Sequence, residues 1–511
     1  MKTSILKLSA YLLLITTFSC IQNANKETAE VVKVEAPKFT EDWESLGKHN
    51  ESPEWFKDAK LGIYFHWGLY SVPAFGNEWY PRWMHFEDNK FYKHHVENYG
   101  HPSEFGYHDF APMFKAEKFD PDAWAKLFKD AGAQFAGPVA EHHDGYAMWD
   151  SEITPWNTMD TGPKRDITGD LEKAIKGNGL KFITAFHHAK NLQRATELGQ
   201  DVRISHFPNF EGMPPTSDDP KLQLMYGNME HEKWYKDVWL GKMKEVIDNY
   251  HPDIIWFDYV LGDIPEVYRK EFAAYYLNEA AKKDQEAVIV RKQHDMPLNM
   301  SVEDLEQSRK NKIGTKTWMT DATISNGSWC YTKDLGVKES ADVLHMLIDI
   351  VSKNGVLLLN VSPKADGTIP ENQTASLLEM GQWLKSYGEA IYGTEAWYTF
   401  GEGPTKEPDG HYKNHQAFHK LKYSNKDIRY TTKDYNIYAI VMGEVEANKE
   451  LLLESFAKEN VLDMTSIEKV EFMGSGEAIE WSLSEEKGLS IKAPSKPVEE
   501  MATVIKITIS Q

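Results

Sequence analysis

The chain has 511 residues, 41% apolar and 26% charged, with two cysteines. At about 100–200 residues per domain, this predicts a globular protein of several domains and excludes disordered, collagen-like and disulfide-scaffold classes. The 57 basic and 78 acidic side chains give a net charge of −21, a field that repels phosphate backbones and argues against nucleic acid as a partner.

In chain order, the first element is a targeting segment. Lys2 and Lys7 precede a mostly apolar run from Leu8 to Ile15, and hydroxyl residues with Phe18 lead to Cys20, which reads as an export signal over residues 1–19. The run is too short for a permanent span, and no other stretch approaches the ~18 apolar residues of a transmembrane helix. Cys20 resembles the lipid-modified cysteine of bacterial lipoproteins, with residues 20–45 as a polar tether. The expected location is therefore the periplasm or the outer membrane, reached only through a lipid on Cys20; plain secretion with Cys20 discarded is the alternative.

From Trp55 onward, apolar runs alternate with helical patterns. Gly62 to Gly68, Gln134 to His143, Leu180 to His188, Asp253 to Val260, Ala287 to Lys292 and Gly355 to Val361 read as parallel strands buried on both faces. Helical patterns cover Asp122 to Ala131, Leu171 to Lys176, His231 to Asn249, Pro265 to Lys283 and Ser340 to Ser352. This rhythm predicts an α/β fold, a (β/α)8-like TIM barrel over residues 46–395, with a doubly wound open sheet as runner-up. Ile437 to Met442, Glu450 to Ser455, Ser466 to Phe472, Leu489 to Ala493 and Val504 to Ile509 alternate and are punctuated by turns. They predict a C-terminal antiparallel β-sandwich over 396–511, the boundary falling between Ile391 and Tyr398. No glycine-rich phosphate loop follows any strand, so no nucleotide cofactor is expected, and none of another kind.

The strands end in residues a core does not choose: His66-Trp67-Gly68, Glu141-His142-His143-Asp144-Gly145, His187-His188, Asp258, Arg291 and Asn360. In a barrel these ends open on one face, where active sites lie. Glu78-Trp79-Tyr80 and Arg82-Trp83 set rings among charges, as a sugar cleft does, although tryptophan also fills large cores. Three adjacent pairs, His94-His95, His142-His143 and His187-His188, lack the spacing of metal motifs. Because neighbours on a strand point to opposite sides, each pair is expected to turn one imidazole inward, and no metal is predicted.

Asp258 follows four apolar residues and should face the cavity, where a carboxylate can attack an anomeric carbon; a helix N-cap is its alternative use. Its partner must be a carboxyl of raised pKa that protonates a leaving oxygen. Glu306, Glu303, Asp321 and Glu78 are the candidates.

Taken together, the ordered motifs resemble the α-L-fucosidases of glycoside hydrolase family 29. They are Trp55-Phe56, Lys60-Leu61-Gly62, Phe65-His66-Trp67-Gly68, Ser71-Val72-Pro73, Glu78-Trp79, Phe119-Asp120-Pro121, Glu141 to Tyr146, Trp156-Asn157, Arg165-Asp166, Pro252-Asp253, Trp256-Phe257-Asp258 and Asn354 to Pro363 with Asp366-Gly367. The resemblance covers roughly residues 50–395, and the following sandwich looks like the family's accessory domain. It implies a retaining, exo-acting hydrolase that removes terminal α-L-fucose from a glycan through a covalent glycosyl-enzyme. Asp258 matches the nucleophile, His66, Glu78, Trp79, His142, His143, Trp256 and Arg291 match sugar-pocket positions, His187 falls near a pocket aromatic, and Trp329 is a further substrate-binding candidate. A Trp-Glu pattern found in some members is missing here, where Trp318-Met319 stands. The segment Asp304-Leu305-Glu306-Gln307-Ser308-Arg309 resembles the Asp-x-Glu-Arg-like acid/base segment of others and points to Glu306. Two further readings are a non-catalytic fucoside-binding lipoprotein and a glycosidase for a related sugar such as a galactoside. The long segments Phe75 to Tyr107 and Asn191 to Tyr226 are where specificity is expected to be set.

Overall fold

The computed structural model describes residues 37–292, 294–408, 418, 420–457 and 466–510. The predicted export signal, Cys20 and the first part of the tether lie outside the described residues. Among the described residues, no helix is long and apolar enough to cross a membrane.

Eight parallel strands close into a barrel: β1 (Leu61–Phe65), β2 (Phe135–Glu141), β3 (Lys181–Phe186), β4 (Ile254–Phe257), β5 (Val288–Arg291), β6 (Val302–Asp304), β7 (Trp318–Thr323) and, after the short ladder of β8 (Ser325–Asn326) with β9 (Gly336–Val337), β10 (Gly355–Val361). Each pairs with the next in chain order, and β10 returns to β1. The strands are apolar on both sides because each side meets a different core. Tyr64, Ile183, Trp256, Val290, Met319 and Leu358 fill the barrel's interior. Their neighbours Ile63, Phe182, Phe257, Ile289, Leu357 and Leu359 pack outward under the helices.

Six barrel strands fall on the predicted runs; β6 and β7 are additional. Several motif residues that carried the resemblance prove to be structural punctuation. Asp120 caps the helix Pro121–Asp130 by accepting from the Ala123 amide at 3.0 Å, with Pro121 at the first helical position. Asp166 caps Ile167–Gly177 in the same way, accepting from the Gly169 amide at 2.9 Å. The stretch expected as one helix from His231 to Asn249 contains a π-helical segment, Trp234–Leu240, ahead of the α-helix Gly241–Tyr250.

The C-terminal part holds a five-stranded antiparallel sheet built from β11 (Glu395–Glu402), β12 (Ile428–Lys433), β13 (Asn436–Val441), β18 (Thr503–Ile509) and β15 (Ile467–Phe472). A three-stranded sheet of β14 (Glu450–Leu453), β17 (Gly488–Lys492) and β16 (Trp481–Ser484) faces it. Ile437, Ala439, Val470, Ile505, Leu453, Leu489 and Ile491 share one core between the sheets, which makes a sandwich.

A buried charge network ties the sandwich to the barrel helix Ser340–Val351. Asp349 lies 2.9 Å from Lys353 and 2.6 Å from Arg429 of β12, and Glu407 lies 2.8 Å from Lys353. Burial pushes Asp349 upward, but Lys353, Arg429 and Arg309 outweigh it and hold its carboxyl well below the usual range. Asp349→Ala leaves two buried cations, Lys353 and Arg429, sharing Glu407 as their one remaining carboxylate and is expected to cost about 3 kcal/mol in denaturant unfolding. Because the folded value is depressed, the wild-type contribution is complete above the unfolded carboxyl pKa of about 3.9 and is lost as pH falls toward the folded value.

Candidate active site

The site stands on the C-terminal ends of the barrel strands. Asp258 leaves β4 directly, its amide donating to the carbonyl of Phe186 at 3.0 Å. Its side chain does not cap a helix. Oδ1 lies 2.8 Å from Lys292 Nζ, and Oδ2 lies 3.2 Å from His143 Nε2 and 3.1 Å from His187 Nδ1. Burial would raise this carboxyl, but Lys292, His187 and His143 prevail and hold it well below the usual carboxylate range. Asp258 is therefore held as an anion.

Lys292 Nζ also lies 3.0 Å from Glu306 Oε2 and 3.4 Å from Asp321 Oδ2. Burial raises the Glu306 carboxyl; Lys292 opposes this, while Asp321 and Asp258 reinforce it. Behind them, Asp321 accepts from Tyr64 Oη at 2.8 Å, and Asp304 accepts from Trp256 Nε1 at 2.7 Å and from the Asp321 amide at 2.9 Å. Burial and the neighbouring Asp304 push Asp321 far upward, against the pull of Lys292. Asp258 held down and Glu306 pushed up is the division of labour that nucleophile and acid require. Backbone strain accompanies both groups: Val260, two residues after Asp258, sits at φ +70°, and Gln307, next to Glu306, at φ +46°.

Imidazoles line the other wall. His66 Nδ1 lies 2.8 Å from Asn360 Oδ1, whose amide orientation is fixed because its Nδ2 donates to Thr323 Oγ1 and the Trp329 carbonyl. His66 therefore donates through Nδ1 and keeps Nε2 as an acceptor. Its pKa is held well below the ordinary value, mainly by burial and next by His187. His143 donates through Nδ1 to the His187 carbonyl at 2.6 Å, and burial lowers it to about 4 against the pull of Asp258. Both ring nitrogens of His143 thus face acceptors, the His187 carbonyl at Nδ1 and Asp258 at Nε2, and the pull of Asp258 is a hydrogen bond that requires a proton on Nε2.

Both His142 and His143 reach the cluster, contrary to the expectation of one per pair. Their rings are 4.5 Å apart, and His142 is 4.6 Å from His187 and 5.5 Å from His66. The reason is local: β2 ends at Glu141, so strand alternation no longer governs the two residues after it. Gly145 permits this turn, at φ +77° with the Met225 carbonyl oxygen 2.1 Å from where a Cβ would stand. Glu141 itself faces outward to Lys242 at 2.8 Å. His187 and His188 do alternate, His188 stacking on Trp239, and His94 and His95 lie away on the helix Lys90–Tyr99.

Of the remaining predicted residues, Trp79 packs on His143 at 5.4 Å, and Trp329 lies 5.3 Å from His66. Glu78 accepts from the Trp329 amide at 3.3 Å and is pushed up to about 7 by burial. Trp256 is completely buried and forms the floor under Lys292 and His187. Glu303 pairs outward with Lys310 at 3.4 Å. Arg291 is a correction. It pairs in register with Phe257, whose ring packs outward on Phe272, and so takes the outward parity, while the next residue, Lys292, delivers the cation to Asp258. Two triads, His66–His142–His187 and His143–His187–Asp258, bring three donor atoms each within 4.8 Å of one another. Imidazole-rich sets of this kind suit zinc or copper, and the same nitrogens equally suit sugar hydroxyls.

The two long segments clasp over this face. Arg82 donates to the carbonyls of Ser205 and His206 and binds Asp201 in a fork at 2.6 and 2.8 Å.

A family model described as Alpha-L-fucosidase matches residues 27–389, and a second, the Alpha-L-fucosidase C-terminal domain, matches residues 422–508. The chain belongs to the α-L-fucosidase family. It is similar to tissue alpha-L-fucosidase of Homo sapiens, 29% identical over 94% of both chains, and to that of Bos taurus, 28% identical over 93% of this chain and 91% of the other. Among solved structures it is similar to Thermotoga maritima alpha-fucosidase in complex with fucose, with a TM-score of 0.72 and 29% identity over 92% of this chain and 100% of that one.

The protein is thus an α-L-fucosidase-family glycoside hydrolase: a TIM-like barrel with C-terminal antiparallel sheets. The residue that sequence reasoning missed in its site is Lys292. Its signal was present, since it is the first residue past an apolar strand, but Arg291 beside it carried the family match.

Proposed function

We propose that the protein is an exo-acting, retaining α-L-fucosidase that removes terminal α-L-fucose from oligo- or polysaccharides by double displacement. The observation that carries this reading is the single ammonium of Lys292 against both Asp258 and Glu306. The two facing carboxylate oxygens cannot lie farther apart than those two contacts laid end to end, which favours the roughly 5–5.5 Å of retaining pairs over the wider inverting arrangement.

In the first step Asp258 attacks the anomeric carbon while Glu306 gives its proton to the departing glycosidic oxygen. In the second, Glu306 takes a proton from water, the resulting nucleophile attacks the glycosyl-enzyme, and Asp258 leaves. His66, His142, His143, His187, Glu78, Trp79 and Trp329 receive the sugar, the imidazoles and Glu78 taking hydroxyls and the indoles its apolar face.

Hydrolysis of an aryl α-L-fucoside followed by proton NMR is expected to give α-L-fucose first, the β-anomer appearing only by mutarotation. β-L-Fucose as the first product overturns retention, and absence of cleavage of any fucoside overturns the activity. Glu306→Ala is expected to lose about 10²–10⁴-fold on glycosides with a basic leaving oxygen and much less on aryl glycosides whose leaving group needs no proton; equal losses on both would remove Glu306 from the acid role.

The charged start, short apolar run and Cys20 support export with lipid attachment at Cys20. Cys20→Ala is expected to move the protein from the membrane to the soluble fraction.

A further inference from the structure

The strand end that brings His187 to Asp258 continues into a short turn, His188–Lys190. The Lys190 ammonium lies 4.7 Å from the ring centre of Trp79 and 5.0 Å from that of Tyr259, the residue after Asp258. Lys190 is only 4% exposed. Among the described residues its ammonium makes neither an ion pair nor a side-chain hydrogen bond.

Three other buried lysines of the barrel are handled differently, whereas Lys60, as buried and also without an ion pair among the described residues, lies at the opposite end of the barrel, just before β1. Lys242 is held by Glu141, Lys353 by Asp349 and Glu407, and Lys292 by Asp258 and Glu306. The cations around Lys190 make its position less favourable. Arg194 is spent on the carbonyls of Ala189, Leu192 and Ile204, with no carboxylate, and Arg82 is occupied by Asp201. Burial lowers Lys190 to about 8, Asp258 and Asp263 opposing and Arg82 and Arg194 adding to the fall. A buried ammonium with two aromatic faces against it and no carboxylate in direct ion-pair contact lacks the partner that burial of charge requires. Next to it, His206 is completely buried with both ring nitrogens unpartnered, and its amide donates to the Lys190 carbonyl at 2.9 Å.

We propose that Lys190, set between Trp79 and Tyr259, is an oxyanion subsite beside the reacting centre that binds a single sulfate ester or carboxylate carried by the glycan. The assignment rests on the reading of Asp258 as that centre. It makes the substrate class a fucoside bearing one anionic group, and it is compatible with the repulsion of polyanions, because one charge meets one local cation. Sulfate and carboxylate share the chemistry an ammonium recognises, so the test separates them.

Three probes suffice: 4-nitrophenyl α-L-fucoside, its ring monosulfates, and the same fucoside with a carboxylate on the aryl ring. Each is assayed with wild type, Lys190→Met and Lys190→Arg. At least one anionic probe is expected to lose ten-fold or more in kcat/KM with Lys190→Met. The neutral fucoside should change less than three-fold, and Lys190→Arg should recover most of the loss. Response of the monosulfate places the anion on fucose; response of the carboxylate places it on the leaving group. An unchanged ratio of anionic to neutral kcat/KM in Lys190→Met overturns the subsite, as does refusal of every anionic probe by wild type. Calorimetry with L-fucose and L-fucose monosulfates keeps this separate from the activity. If wild type cleaves nothing yet binds an L-fucose monosulfate ten-fold more tightly than Lys190→Met does, the activity reading has failed and the subsite stands. If neither protein distinguishes sulfated from plain fucose and no anionic probe responds, the subsite fails whatever the activity.

Discussion

Asp258→Gly is expected to abolish turnover of an aryl α-L-fucoside, by about 10³-fold or more in kcat, with a far smaller change in substrate affinity. The asymmetry follows from the contacts. The carboxylate acts on the reacting carbon, whereas the walls that receive the sugar, His66, His142, Trp79 and Trp329, are left in place. The fold should survive, because Lys292 retains Glu306 and Asp321 as partners. Glycine also opens a space edged by Lys292, His143 and His187, all suited to an anion. Added azide is therefore expected to enter from the nucleophile's side and to displace an activated leaving group once, giving the β-linked fucosyl azide. Full activity in the glycine variant, or an α-linked azide product, would show that another group attacks the sugar.

What the sequence disclosed, and what it concealed, both follow from where the carboxylates are. The six predicted barrel strands are continuous apolar runs, since each packs a core on either face. β6 and β7 escaped because Glu303, Asp304, Thr320, Asp321 and Thr323 interrupt them, and Asp304 and Asp321 point into the barrel to build the floor of the site. A strand pattern fails there because function, not packing, chose the inward residue. Strand parity was equally informative in both directions. It sends His187 in and His188 out, and it sets Lys292 rather than Arg291 against Asp258. It misled at His142-His143, where the strand has already ended. In the sandwich, β13, β14, β15, β17 and β18 were legible from alternation, whereas β11, β12 and β16 were not. β11 and β16 lie at sheet edges, the side chains of β11 mostly half-exposed and those of β16 mostly exposed, and β12 carries Arg429 into the charge network that joins it to the barrel. The pairing of Lys190 with Trp79 and Tyr259 had no sequence signature, because it joins residues far apart in the chain.

Lys292→Met is expected to lower kcat/KM at the wild-type optimum by about 10²-fold, the scale for removing one preorganised electrostatic partner, and to move the whole pH profile toward higher pH. The direction is fixed by the two carboxyls that face the ammonium. Asp258, also faced by His143 and His187, must be ionised to attack; without Lys292 the effect of burial is less opposed, its pKa rises, and the acid limb moves up. Glu306, faced as well by Asp321 and Asp258, must be protonated to donate. Lys292 is what pulls it down, so its pKa also rises on removal and the alkaline limb follows in the same direction. Lys292→Arg keeps the charge and should return both limbs most of the way, even if its fork fits the space poorly. A lysine that served only to fill volume between Trp256 and Trp329 would behave otherwise: methionine would then leave both limbs where they are, and arginine would be the more damaging replacement. Parallel displacement of the two limbs is therefore the signature of one cation holding the nucleophile ionised while restraining the acid beside it.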